Sequence, residues 1–117
     1  MFNLRKIKNV YLAIEPMDLR KSIDGLVLMI QRTYQLDVFQ ESLFVFCNRT
    51  KDKIKIIHWD NGFWLYYRRL EQENFKWPSS PNKTISIEYK ELEWLLNGHE
   101  VRVQRLKFKE VNQRISH

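Results

Sequence analysis

Asp18, Asp24, Asp37, Asp52 and Asp60 are the residues of this chain whose chemistry could cut or join a phosphodiester. Clustered carboxylates can hold the two divalent ions that clamp the attacking and leaving oxygens in phosphoryl transfer. Their settings argue against that role. Asp18 precedes an apolar-periodic stretch and reads as a helix cap, Asp24 as a solvated helix residue, and Asp52 and Asp60 as turn residues. His58, His99 and His117 form no ligand-spaced pair. Cys47 is the single cysteine, which excludes an intrachain disulfide and a multi-cysteine zinc site, and its strand-like setting makes it a small core residue. Gly25, Gly62 and Gly98 are isolated, so no glycine-rich loop cradles a phosphate. These residues predict a protein that is not an enzyme and needs no metal or cofactor.

Binding chemistry is better represented. The stretch "KIKIIHWDNGFWLYYRRL", Lys53 to Leu70, interleaves aromatic and cationic side chains around an Asn61-Gly62 hairpin signal. With those two residues as the turn, Trp59 pairs with Trp64, Ile57 with Tyr66 and Lys55 with Arg68. One face then carries Ile54, Ile56, Phe63, Leu65 and Tyr67 and belongs to the core. The other carries Lys53, Lys55, Ile57, Trp59, Trp64, Tyr66 and Arg68. Lys55 opposite Arg68 is a like-charge pair that phosphates would relieve. Trp59, Trp64 and Tyr66 beside it could stack on unpaired bases or anchor a protein interface. Equally, a helix could cover that face while the lysines snorkel out at its edge and Glu71 or Glu73 neutralises Arg68. The whole chain of 117 residues carries 20 Lys+Arg against 14 Asp+Glu, a net +6 that favours polyanionic partners.

The elements that must position these residues form an α+β pattern. "VYLAI" (Val10 to Ile14) is a strand that Pro16 closes. Leu19, Ile23, Leu26, Ile30 and Tyr34 recur at helical spacing after Asp18 and predict one long N-terminal helix. Strands follow at Ser42 to Asn48, Lys53 to Trp59 and Phe63 to Leu70, with the polar turn "RTKD" (Arg49 to Asp52) between the first two. A proline-containing loop, a short strand "TISIEY" and a short helix "KELEWLLNG" stopped at Gly98 complete the pattern. The expectation is a mostly antiparallel central sheet, a β-meander with the Asn-Gly hairpin, packed against one long N-terminal helix and a short C-terminal helix. A single domain spans 1–117, with a basic lead-in over 1–9 and a basic tail over 99–117. The opening "MFNLRKIKNVYLAIEP" lacks the apolar centre of a signal peptide, and no apolar run approaches the roughly 20 residues of a membrane span, so a cytoplasmic protein with no membrane partner is expected.

Three segments taken together resemble a known family: "MDLRKSIDGL" (Met17 to Leu26), "LFVFCNRTKDKIKIIHWDNGFWLYYRRLEQENFKWP" (Leu43 to Pro78) and "LEWLLNG" (Leu92 to Gly98). Their order and spacing over about residues 10–98 are similar to the TnpB-type, second-open-reading-frame accessory protein of the insertion sequence 66 family of bacterial transposable elements. The family pattern falls on Asp18, Arg20, Lys21, Asp24 and Gly25, and then on sheet positions that include Asn48, Arg49, Asp52, Lys53, Lys55, Trp59 and Asp60. Cys47 stands where arginine is common, Ser22 where glycine is usual, and the "DNG" turn is one residue shorter. The resemblance implies a protein that supports transposition while a separate transposase carries the nuclease. The expected DNA contacts are Arg20, Lys21, Arg49, Lys51, Lys53, Lys55 and Arg68, with Trp59, Trp64 and Tyr66 for stacking or interface. DNA and the transposase are the expected partners, with RNA a third candidate through the same face. The alternative is an interaction module that binds the transposase without touching DNA.

Overall fold

β2 (Ser42–Cys47) is buried along all six of its residues, as a strand covered on both faces must be. The computed structural model describes residues 6–101. Around β2 stand β1 (Asn9–Ala13), β3 (Lys53–Trp59), β4 (Phe63–Arg69) and β5 (Thr84–Ile87), in the sheet order β4-β3-β2-β1-β5. β1 and β2 run parallel, and the other three pairings are antiparallel. A parallel pair needs a crossover, and the chain between Ala13 and Ser42 supplies it with a helical segment.

Alternation along the strands builds two cores. On one face Leu12, Leu43, Val45, Ile54 and Ile56 meet Phe75 together with Leu92 and Leu95 of the C-terminal helix. On the other, Ala13, Phe44, Phe46 and Ile57 meet Leu19, Leu26 and Ile30. Each such aliphatic burial contributes about 1.5–3 kcal/mol. The C-terminal helix, α2 (Tyr89–Leu96), opens on a reciprocal capping box between Glu88 and Glu91 and stops where Gly98 takes φ +86°.

The long N-terminal helix does not form, which corrects the expected fold class. α1 covers only Ile23–Leu28, and the chain continues as a π-helix over Met29–Thr33 before Gln35 turns left-handed at φ 54°. The Asp18 carboxylate accepts from the Arg20 backbone N–H (3.0 Å) and from the Arg20 side chain, so it closes a local turn instead of capping a helix. Ser22 holds the N-cap position. The molecule is a five-stranded mixed sheet with two short helical segments, mostly sheet rather than a sheet under a long helix.

The hairpin register also differs from expectation. Asp60 joins Asn61 and Gly62 in a three-residue connection, with its N–H donating to the Gly62 carbonyl (2.9 Å). Trp59 therefore pairs with Phe63, Ile57 with Leu65 and Lys55 with Tyr67. A one-residue slip exchanges the two faces of β4. Phe63, Leu65 and Tyr67 join Lys53, Lys55, Ile57 and Trp59, while Trp64, Tyr66 and Arg68 join Ile54, Ile56 and His58. The like-charge pair is Lys53 with Arg69, and each has its own acid: Asp52 at 3.3 Å and Glu71 at 2.9 Å. The basic lead-in and tail lie mostly outside the described residues, at 1–5 and 102–117.

Candidate nucleic-acid interface

A groove of about 870 Å³ opens on the α1 side of the sheet, between the 16–20 loop, the β2–β3 turn and the ends of β3 and β4. Its apolar surface comes from Met17, Leu19 and Leu65, its aromatic wall is Tyr67, and its cations are Arg20, Arg49, Lys53 and Lys55. Two sets of hydrogen bonds brace the segments that border it. The Met17 N–H donates to the Cys47 carbonyl (3.0 Å), which ties the loop to the end of β2. In the turn, Asn48 Nδ2 and Thr50 Oγ1 both donate to Asp52 Oδ1 at 2.7 Å, and Asn48 Oδ1 accepts the N–H groups of Asp52 and Lys53. The Thr50 and Asn48 bonds hold the Asp52 carboxyl well below the usual carboxylate range.

The four groove cations differ in how much charge they offer. Arg20 donates through Nε and Nη2 to Asp18, at 2.6 Å for the shortest contact, and this lowers the Asp18 pKa and raises that of Arg20. Lys53 sits by Asp52. Lys55 Nζ donates to the neutral carbonyl of Lys21 (3.0 Å) and lies 5.8 Å from the centre of the Tyr67 ring. Arg49 is exposed at the turn, and among the described residues neither Arg49 nor Lys55 has an acidic partner within ion-pair distance.

The structure thus brings together four of the seven expected cations. Lys21 borders the groove through its carbonyl, and Lys51, at φ 60°, lies in the turn outside the lining. Arg68 is on the opposite sheet face, where its Nη1 donates to the Leu96 carbonyl (2.6 Å) at the end of α2.

The family described as IS66 Orf2 like protein matches residues 8–106, which is most of the chain and all of the sheet. The chain belongs to the IS66 Orf2-like family. Two proteins of Sinorhizobium fredii (strain NBRC 101917 / NGR234) are similar to it. Uncharacterized protein y4hO is 33% identical over 90 residues, covering 76% of this chain and 78% of its own length. Uncharacterized protein y4jC is 28% identical over 90 residues, covering 76% and 77%. No solved structure matches. Membership supports an accessory role in transposition.

The three aromatic residues expected to act together are separated in this IS66 Orf2-like protein. Trp59 packs edge-on against Phe39 (5.0 Å between ring centres) and Phe63 (4.9 Å). Trp64, on the other face, is 54% exposed and donates through Nε1 to the Asp60 carbonyl. Tyr66 packs against the α2-side core, and burial raises its pKa. Tyr67 was missed as a groove residue because the two-residue turn assigns it to the core. Phe39 was missed because it is a lone aromatic between Asp37 and Glu41 with no periodic neighbour. Among the described residues no group of three His, Cys, Asp or Glu side chains gathers to hold a metal, and no helix is long and apolar enough to cross a membrane.

Proposed function

We propose that this protein is a non-catalytic accessory factor of transposition that binds DNA through the groove beside Lys55. The observation that carries this reading is the convergence of Arg20, Arg49, Lys53 and Lys55 from two distant parts of the chain onto one concave surface. Two of these, Arg49 and Lys55, keep charge that no neighbouring acid cancels among the described residues. Phosphates are the ligands that such cations on a pre-tethered frame suit, and a basic surplus of +6 steers polyanions toward it. The test is anisotropy of a labelled DNA titrated with the protein at several salt concentrations. Saturable binding that weakens steeply with salt supports the reading, and no binding at low salt refutes it.

A second reading has its own observation. Phe39 is 53% exposed beside Trp59 and Phe63, and this aromatic group lies at the hairpin end remote from Arg69. Aromatic residues of this kind anchor protein interfaces, and the transposase of the same element is the partner it would serve. Co-purification of the two proteins that survives nuclease treatment and is lost in Phe39→Ser supports it; association unchanged by that substitution refutes it.

A further inference from the structure

We propose that the groove takes an unpaired DNA strand, with one base stacked on Tyr67 and the neighbouring phosphates met by Lys55 and Arg49. This rests on the reading of the groove as a DNA interface and narrows it to one form of DNA. A duplex keeps its base faces stacked inside and presents its phosphates outward, so it could reach the rim cations yet leave the groove's apolar parts in water. Those parts are substantial. Tyr67 is 53% exposed, and the partly exposed Met17 and Leu65 line the same hollow over the buried Leu19. An unpaired nucleotide uses all of it: the base covers the ring and the apolar floor, and the phosphate finds the cation.

The geometry couples the two contacts. Lys55 and Tyr67 are direct cross-strand partners, so the sheet sets the spacing of their backbones. The ammonium donates to the Lys21 carbonyl at 3.0 Å and lies over the ring, 5.8 Å from its centre, so the base takes the ring surface that the ammonium leaves open. A base on Tyr67 therefore brings its own phosphate beside a positioned charge. Arg49 lines the same groove from the turn that Asn48, Thr50 and Asp52 tie together by hydrogen bonds, and it meets the next phosphate. DNA is named rather than RNA because the family is that of an insertion sequence.

The experiment measures anisotropy with labelled oligothymidylate, a closed hairpin duplex and oligouridylate, using the parent protein, Tyr67→Ala, Tyr67→Phe and the double variant Arg49→Gln/Lys55→Gln. Tyr67→Ala is expected to weaken oligothymidylate binding roughly 5- to 150-fold, with Tyr67→Phe and the hairpin duplex each changed by no more than about twofold. Oligothymidylate binding unchanged in Tyr67→Ala overturns the proposal. So does an equal loss on both DNAs, or tighter binding of oligouridylate than of oligothymidylate. If the double variant weakens both DNAs while Tyr67→Ala changes neither, the stacking contact falls and the DNA interface stands. If the parent protein binds no DNA at low salt, both readings fall together.

Discussion

With the groove as the proposed DNA interface, removing the two groove cations that have no acidic partner among the described residues should change the salt dependence of binding by an amount the ion pairs allow to be worked out. Arg20 is matched by Asp18 at 2.6 Å and Lys53 by Asp52 at 3.3 Å, which leaves Arg49 and Lys55 as the net contribution. Each neutralised phosphate contributes about 0.9 to the slope of log affinity against log salt for a duplex and about 0.7 for a single strand. Arg49→Gln/Lys55→Gln should therefore flatten the slope by about 1.8 on duplex and about 1.4 on single-stranded DNA. Over a fourfold rise in salt the parent protein should lose about 12-fold more duplex affinity than the double variant, or about 7-fold more on a single strand. Two controls sharpen the assay. Asp18→Asn/Arg20→Gln removes one charge of each sign and should leave the slope where it was. Arg68→Gln removes a cation from the opposite sheet face and should do the same. Anisotropy titrations across the salt series read all three. If Arg68→Gln flattens the slope as much as the groove variant does, the charge is acting diffusely and the groove is not the interface.

Three further outcomes follow from side chains outside the groove. Arg68→Ala should cost about 1 kcal/mol, seen as a lower urea midpoint at unchanged denaturant slope, because the guanidinium satisfies the Leu96 carbonyl at the negative end of α2. His58 is buried, and desolvation lowers its pKa from 6.5, so the unfolded chain takes up a proton there before the folded one does. Its contribution to stability is complete above 6.5 and is lost as the pH falls from there toward the lowered folded value; the urea midpoint should drop between about pH 8 and pH 5.5, and by less in His58→Gln. Burial pushes the Cys47 thiol up to about 12, so a thiol reagent should label it only as the protein unfolds in urea; rapid labelling of the native protein would contradict the packing of β2.

Much of the sheet was legible because β-branched and aromatic runs with polar turns between them say where strands lie. The strands read at 42–48, 53–59 and 63–70 appear within a residue of those bounds. Register was not legible. Asn61-Gly62 marks a hairpin, but whether Asp60 belongs to the strand or to the turn depends on one backbone bond, and that residue decides which face every β4 side chain takes. The long helix failed for a different reason. Leu19, Leu26 and Ile30 are all buried and Ile23 and Tyr34 pack against them, so the spacing correctly marked residues that face the core. It could not say that Leu19 reaches the core from a turn closed by Asp18, nor that the helix would widen after Leu28.

The residues that carry the family resemblance separate, in the structure, into those that build a frame and those the frame displays. Asn48 and Asp52 spend their polar atoms on the β2–β3 turn itself. A side chain at Gly25 would bring its Cβ to 3.3 Å from the Cβ of Lys21, so the glycine leaves room for the segment whose carbonyl holds Lys55. Asp18 and Arg20 close the opposing loop on each other. Lys55 is positioned without being neutralised, and Arg49 projects from the rigid turn with its charge free of any acid among the described residues. The 16–20 loop and the β2–β3 turn that border the groove are each tied by hydrogen bonds. Holding the charge in place before a ligand arrives reduces the ordering cost of binding, and that is the physical reason to look for the partner in this groove.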